Sequence, residues 1–332
     1  MRKTWPYMVV VQLVIPLFTV LVLFCFFVVS SSATCNPDDR DSLWSLNISV
    51  APPHPRLNWS LSVDCCLWEG IHCDDNSSRV ISLLLPSRGL TGTLFISITN
   101  LTYLSNLNLS RNTLSGPLSS GFFSSFNHLQ FLDLSYNHFS GELPSSYNDT
   151  TVPPLQTLDL SSNRFNGTIP SSFLHSVVGT SLIGFNLSHN NFQGSIPTST
   201  LCSNSSTSSL RFLDFSFNNF DGQISNGLGL CSKLEIFRAG FTSLPGQLPS
   251  DILMLLDSRK CLYLVINFLE TLTDASYASP TSEALNSTPT CSRAQFLLIL
   301  ASSTTWKICN FTSITSLVFC PHLWGIAPIS PH

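Results

Sequence analysis

The chain has 332 residues, of which 43% are hydrophobic and only 10% charged, against about 25% charged in an average globular protein. Its formal net charge of −4, with no basic stripe, argues against nucleic acid as a partner. Ser, Thr and Asn supply the polarity that charge does not, which suits a surface kept soluble by attached sugar.

Asn-x-Ser/Thr acceptors stand at Asn47, Asn58, Asn76, Asn100, Asn108, Asn148, Asn166, Asn186, Asn204, Asn286 and Asn310. Eleven in one chain point to a glycoprotein of the secretory pathway. The start of the chain agrees. Arg2 and Lys3 precede an apolar run from Met8 to Val29, and Ser30-Ser31-Ser32-Ala33 offers small residues for a cut after Ala33. Residues 1–33 therefore read as a signal peptide, and the protein as extracellular or at the cell surface. If retained as a signal anchor, the run would hold the chain at the plasma membrane. Once it is cleaved, no remaining run reaches the roughly 18 apolar residues of a membrane helix. Cys25 goes with the leader. The other ten cysteines are Cys35, Cys65, Cys66, Cys73, Cys202, Cys231, Cys261, Cys291, Cys309 and Cys320. An oxidising compartment favours disulfides among them over metal sites, and no His accompanies them at ligand spacing.

Residues 34–76 form the first unit. DDRDSLWSL (Asp38–Leu46) sets acidic residues ahead of apolar ones at helical spacing, as a helix N-terminus prefers. NWSLSVDCCLWEGIHCD (Asn58–Asp74) follows, with two Trp and clustered cysteines. A helix, two Trp and paired cysteines would cover the open first layer of a stacked core.

Residues 77–250 repeat. LQFLDLSYNHFSGELP (Leu129–Pro144) reads Leu-x-x-Leu-x-Leu-x-x-Asn-x-Phe-x-Gly-x-Leu-Pro. The frame returns at Leu155, Leu182 and Leu210, with looser copies from Val80, Leu104 and Leu234. The Asn position holds Arg88, Asn112, Asn137, Asn163, Asn190, Asn218 and Thr242, in steps of 24, 25, 26, 27, 28 and 24 residues. Seven copies at this period are the signature of leucine-rich repeats. The Leu-x-Leu core predicts a short strand with alternate side chains inward and the others lining a concave sheet. The Asn amide can satisfy backbone groups that the turn would leave buried and unpaired. Gly permits a positive φ and Pro lacks an N–H, so Gly-x-Ile/Leu-Pro suits a backbone that bends and stops pairing.

Here a resemblance becomes specific. Trp59 with Asp64-Cys65-Cys66-x-Trp68-x-Gly70-Ile71-x-Cys73 resembles the N-terminal cap of plant leucine-rich-repeat receptors. The Leu-x-Gly-x-Ile-Pro ending resembles the plant extracellular subtype of the repeat. FRAGFTSLPGQLPSDI (Phe237–Ile252) is similar to a stretch in the phytosulfokine and sulfated-glycopeptide receptors. The resemblance spans about Cys35 to Ile252. It implies an α/β solenoid: a right-handed superhelix with a parallel sheet on its concave face and a disulfide-stapled cap. It also implies the pairs Cys66–Cys73 and Cys35–Cys65, where the sequence alone allows three pairings. Cys202 and Cys231 lie 29 residues apart, about one repeat, and read equally as a bridge or as two separately buried thiols.

Residues 251–332 read as a non-repeat tail, poorly ordered or aberrant. CLYLVINFL (Cys261–Leu269), QFLLILA (Gln295–Ala301) and SLVFC (Ser316–Cys320) show no repeat frame. The family continues with further repeats, an island, a membrane helix and a kinase, so the resemblance implies a truncated ectodomain.

No catalytic motif is present: no phosphate loop, kinase His-Arg-Asp, Gly-x-Ser-x-Gly or His-Glu-x-x-His. The chain reads as non-enzymatic, without metal or cofactor. The concave face is the place to look for binding. Asp133, Asp159 and Asp214 fill one recurring slot and read as scaffold, while the less patterned Arg111, Tyr136, Arg211, Phe217 and Arg238 are the ligand candidates. Exposed aromatics beside Arg can grip an extended peptide, and Arg could pair with a sulfate or carboxylate. A glycan on Asn108 or Asn186, both in the Asp slot, would cover part of that face. The expected function is signal perception by binding a protein or peptide ligand, with a co-receptor ectodomain as a candidate partner. The alternatives are a secreted inhibitor similar to polygalacturonase-inhibiting proteins and a non-functional truncated product.

Overall fold

The computed structural model describes residues 34–251 except 47–48, 53, 95, 145–152, 180, 203–208, 241, 243, 245–248 and 250. Beyond these it describes the strands at 263–266, 296–302 and 305–311. The expected signal peptide and the sequons at Asn47, Asn148, Asn204 and Asn286 lie outside the described residues.

Each copy of the frame makes one coil. Its Leu-x-Leu segment is a short strand, and these strands pair in parallel, in chain order, from Val80–Leu84 through Asn106–Asn108, Phe131–Asp133, Thr157–Asp159, Gly184–Asn186 and Phe212–Asp214 to Ile236–Ala239. Register is strict: Leu132 sits opposite both Leu107 and Leu158, and Asp133 opposite both Asn108 and Asp159. The inward residues Leu107, Leu132, Leu158, Phe185, Leu213 and Phe237 are fully buried. A second sheet runs beside the first, from Leu90–Thr93 through Thr113–Gly116, His138–Gly141 and Arg164–Gly167 to Asn191–Phe192. The frame's glycine closes its coils with positive φ, at 87°, 86° and 77° for Gly116, Gly141 and Gly167, a conformation that favours a residue without Cβ.

Two ladders hold the coils in step. Phe139, Phe165, Phe192 and Phe220 stack nearly parallel, with centroids 6.2 to 6.3 Å apart. The second ladder is asparagine. Asn137 Nδ2 donates to Leu134 O and Ser135 O of its own turn at 3.1 Å, and to Leu109 O of the preceding coil at 2.9 Å. Its Oδ1 accepts from Leu114 N, also of the preceding coil, at 3.0 Å. Asn112, Asn163, Asn190 and Asn218 repeat the arrangement. The first coil has no coil before it, and there Arg88 replaces Asn and pairs with Glu69 of the cap at 2.7 Å.

The cap is built as a lid. The helix Pro37–Trp44 starts at Asn36, whose side chain accepts from Asp38 N and Asp39 N. Asp39 is fully buried and accepts from Arg79 Nη2, Arg79 Nε and Val80 N at 2.8, 2.9 and 2.8 Å, which ties the helix to the first coil. The Trp59 and Trp68 rings stack at 5.2 Å, with Trp44 at 5.9 Å from Trp68. Cys35 is bonded to Cys65 and Cys66 to Cys73, each with Cα atoms 5.5 Å apart. Ile71–Cys73 then pairs antiparallel with Val80–Leu84 and closes that end of the concave sheet. Further on, Cys202 is bonded to Cys231 across successive coils, with Cα atoms 5.0 Å apart.

The reading of the tail as lacking any repeat frame needs correction at one place. Tyr263–Ile266 lies parallel to Ile236–Ala239 and extends the concave sheet to nine strands. Cys261, Leu264 and Ile266 stand 27 residues after Leu234, Phe237 and Ala239, so the apolar frame does recur once more. Phe296–Ser302 and Thr305–Phe311 form an antiparallel hairpin.

Replacing Asn137 with Ala strands the buried Leu114 N–H and takes from Leu109 O, Leu134 O and Ser135 O one of the donors each shares, so it should cost about 2 kcal/mol of stability or more. Asn191→Ala, at an exposed position, should cost less than about 1 kcal/mol. Thermal and guanidinium unfolding of the two variants gives the comparison, and equal losses would remove the ladder from the account.

Candidate recognition surface

The outward strand residues form parallel files along the concave face. One file carries Asn108, Asp133, Asp159, Asn186, Asp214 and Arg238, aligned by the strand register. Each Asp here accepts from the backbone N–H two residues on, as with Asp133 and Ser135 N at 2.9 Å. These carboxylates therefore shape the turn, which accounts for their recurrence. Burial pushes the Asp159 carboxyl above the ordinary carboxylate value, and the neighbouring charge of Asp133 adds to the rise. Burial raises Asp214 as well, partly offset by its hydrogen bonds and by Arg238.

A second file borders the first. Ser87, Arg111, Tyr136, Ser162, His189 and Phe217 each precede the frame's Asn position, and all six hold φ between 53° and 57°. Side chains there project away from the core. Tyr136 is 52% exposed and Phe217 41%. The Arg111 guanidinium lies 4.6 Å from the Tyr136 ring centroid, and His189 stacks on Phe217 at 4.1 Å.

The five candidates thus fall in different places. Arg111, Tyr136 and Phe217 share the exposed ridge. Arg211 lies on the opposite side of the sheet, paired with Glu235 at 2.5 Å. Arg238 lies between, 3.5 Å from Asp214 and over the Phe212 ring at 5.7 Å. Both of these arginines face a carboxylate of their own sheet, so their charge is already balanced and the expected pairing with a ligand sulfate or carboxylate would have to displace it. Ser162 and the His189–Phe217 stack were missed as site features. The available signal was the residue before each Asn, which the left-handed turn directs outward.

Asn108 and Asn186 are half-buried on this face. Asn186 Nδ2 donates to Asp159 Oδ2 at 3.1 Å, and Asn108 Oδ1 accepts from Ser110 N and Oγ. Asn58, Asn76, Asn100 and Asn166 are exposed.

Comparison with known proteins agrees with this architecture. The leucine-rich-repeat N-terminal domain matches residues 36–74, and the leucine-rich repeat matches 128–149, 154–176 and 209–231. The chain is a capped leucine-rich-repeat solenoid. Its relatives are plant receptors. It is 36% identical to phytosulfokine receptor 1 of Arabidopsis thaliana over 71% of this chain and 21% of that protein. Over 30% of its own length and 13% of the relative's, it is 48% identical to receptor-like protein 3 of the same plant. The matches therefore span only 21% and 13% of these relatives. The leucine-rich-repeat ectodomain of the Arabidopsis receptor kinase HAESA, solved with a peptide hormone bound, superposes with a TM-score of 0.59 at 27% identity. That match covers 80% of this chain and 41% of the other. Among the described residues no helix is long and apolar enough to cross a membrane.

A carboxyl raised by burial favours the fold most when protonated, so its contribution is complete in acid and is lost as pH rises through its folded value. Asp159→Asn keeps an acceptor for Ser161 N and removes that loss. The midpoint difference between Asp159→Asn and the unaltered chain should therefore shift in favour of the variant as pH rises from 3 to 7. A constant difference would show that Asp159 titrates normally.

Proposed function

We propose that the concave sheet and its flanking ridge are the recognition surface of a secreted, plant receptor-type ectodomain, which takes a protein or peptide ligand and performs no catalysis of its own. The observation that carries this reading is the ridge. Tyr136 and Phe217 expose large rings at slots where the frame imposes no ring and the core gains nothing from one. Aromatic and Arg side chains are the types that carry most binding energy at interfaces. The relatives support the reading, being receptor-like proteins and phytosulfokine receptors, as does the peptide-hormone complex of the HAESA ectodomain. A co-receptor ectodomain is a further partner in this reading. Arg111, Tyr136 and Phe217 are its principal contacts, and Arg211 and Arg238 come second because each is held by an acidic neighbour.

The same reading takes residues 1–33 as a leader removed on secretion, 34–76 as cap and 77–250 as the repeats, with 251–332 following them. It assigns glycans to the exposed Asn58, Asn76, Asn100 and Asn166. Full chain recovered from the medium of plant cells should then begin at Thr34 and lose mass on treatment with an N-glycosidase. An intact Met1 in secreted material, or no mass change, would refute that part.

The binding claim is tested by selecting protein and peptide binders from a display library on the secreted full chain. Binders should weaken at least tenfold on Tyr136→Ala/Phe217→Ala and be unaffected by Ile96→Ala, an exposed position away from the concave sheet. Binders indifferent to the concave pair would contradict the proposal.

A further inference from the structure

The ridge is a stack of planar groups interrupted once. Arg111 lies over Tyr136, and His189 lies against Phe217 with ring planes 10° apart. Between these two pairs stands Ser162, which has no plane to offer. The backbone keeps the members level: Arg111 N donates to Ser135 O, Tyr136 N to Ser161 O, Ser162 N to Ser188 O and His189 N to Ser216 O. Tyr136 and His189 are therefore two coils apart, about 10 Å. A planar cation is attracted by an aromatic face out to about 6 Å from its centroid, so one group between the two rings lies within reach of both. Beside the slot are Asp159, three residues before Ser162, and Asp133, its partner in register. Neither forms an ion pair among the described residues.

We propose that the Ser162 slot is a subsite for an arginine side chain of the bound peptide or protein, with its guanidinium between Tyr136 and His189 and its N–H fork toward Asp159 and Asp133. Arginine fits where other side chains do not. Its guanidinium is planar, stacks on rings and matches carboxylates in pairs, whereas the lysine ammonium is a compact point charge. An uncharged ring would fill the stack but bring the two carboxylates, hydrogen-bonded to Ser135 N, Ser161 N and Asn186 Nδ2, no counter-charge. This subsite rests on the reading of the concave face as a recognition surface.

The test uses decapeptides selected by display on the secreted full chain, then remade singly. Selected peptides should share one arginine, and its replacement by lysine should weaken binding at least tenfold. Ser162→Phe would complete the stack, and its backbone conformation already carries rings at Tyr136, His189 and Phe217. That variant should lose binding by a similar factor with its melting midpoint unchanged or higher. Asp133→Asn/Asp159→Asn should lose binding too, while still folding. Concave binders with no common arginine, or arginine peptides that bind Ser162→Phe undiminished, overturn the subsite and leave the recognition reading standing. If no selected binder is sensitive to concave substitution, both fall.

Discussion

The asparagine of each coil serves the coil before it. Its amide fills the turn from inside, donating to two carbonyls of its own strand end and one of the preceding coil, while its oxygen accepts a backbone N–H from that coil. Without the asparagine that N–H would be buried and unsatisfied, at about 1–3 kcal/mol, and the carbonyls would each lose one of the donors they share. Leucine and phenylalanine give the stack its mass, but apolar burial has no direction and would tolerate slippage. The asparagine fixes which coil follows which and at what height. Its two exceptions fit this role. Arg88 has only the cap beneath it and reaches Glu69 instead. Thr242 donates its hydroxyl to Ala239 O.

That inward commitment shapes the outer surface. The turn that presents the Asn amide puts the preceding residue in left-handed backbone, and six non-glycine residues accept the strain. Side chains there gain little from the core, and the coils differ freely in this file: Ser, Arg, Tyr, Ser, His, Phe. The neighbouring file of Asn and Asp serves the turn through contacts to the backbone two residues on. Scaffold and surface are separated by slot, and the likeness to plant receptors covers both.

The sequence displayed the scaffold well because the frame repeats. The seven strands, the cap helix and the recurring Asp slot were all legible from spacing. Contacts across coils were not, since the partners lie 24 to 28 residues apart at steps that vary. Nothing in the spacing says that Arg211 meets Glu235 or that His189 stacks on Phe217. The strand at 263–266 escaped notice for a different reason. Cysteine stands in its first apolar slot and Leu269 in its Asn slot, so the polar marker of the frame is missing where the apolar period persists. Nor does the repeat that carries Asp214 announce that Arg238 of the next coil faces it.

The ladder is tested most directly by native-state hydrogen exchange at the amides it covers. Leu90, Leu114, Phe139, Phe165 and Phe192 each donate to the asparagine of the following coil. These five should exchange among the slowest in the chain, and in Asn163→Ala protection should collapse at Phe139 and weaken in the coils on either side. Fast exchange at the five amides in the unaltered chain, or undiminished protection of Phe139 in the variant, would mean that apolar stacking alone orders the coils.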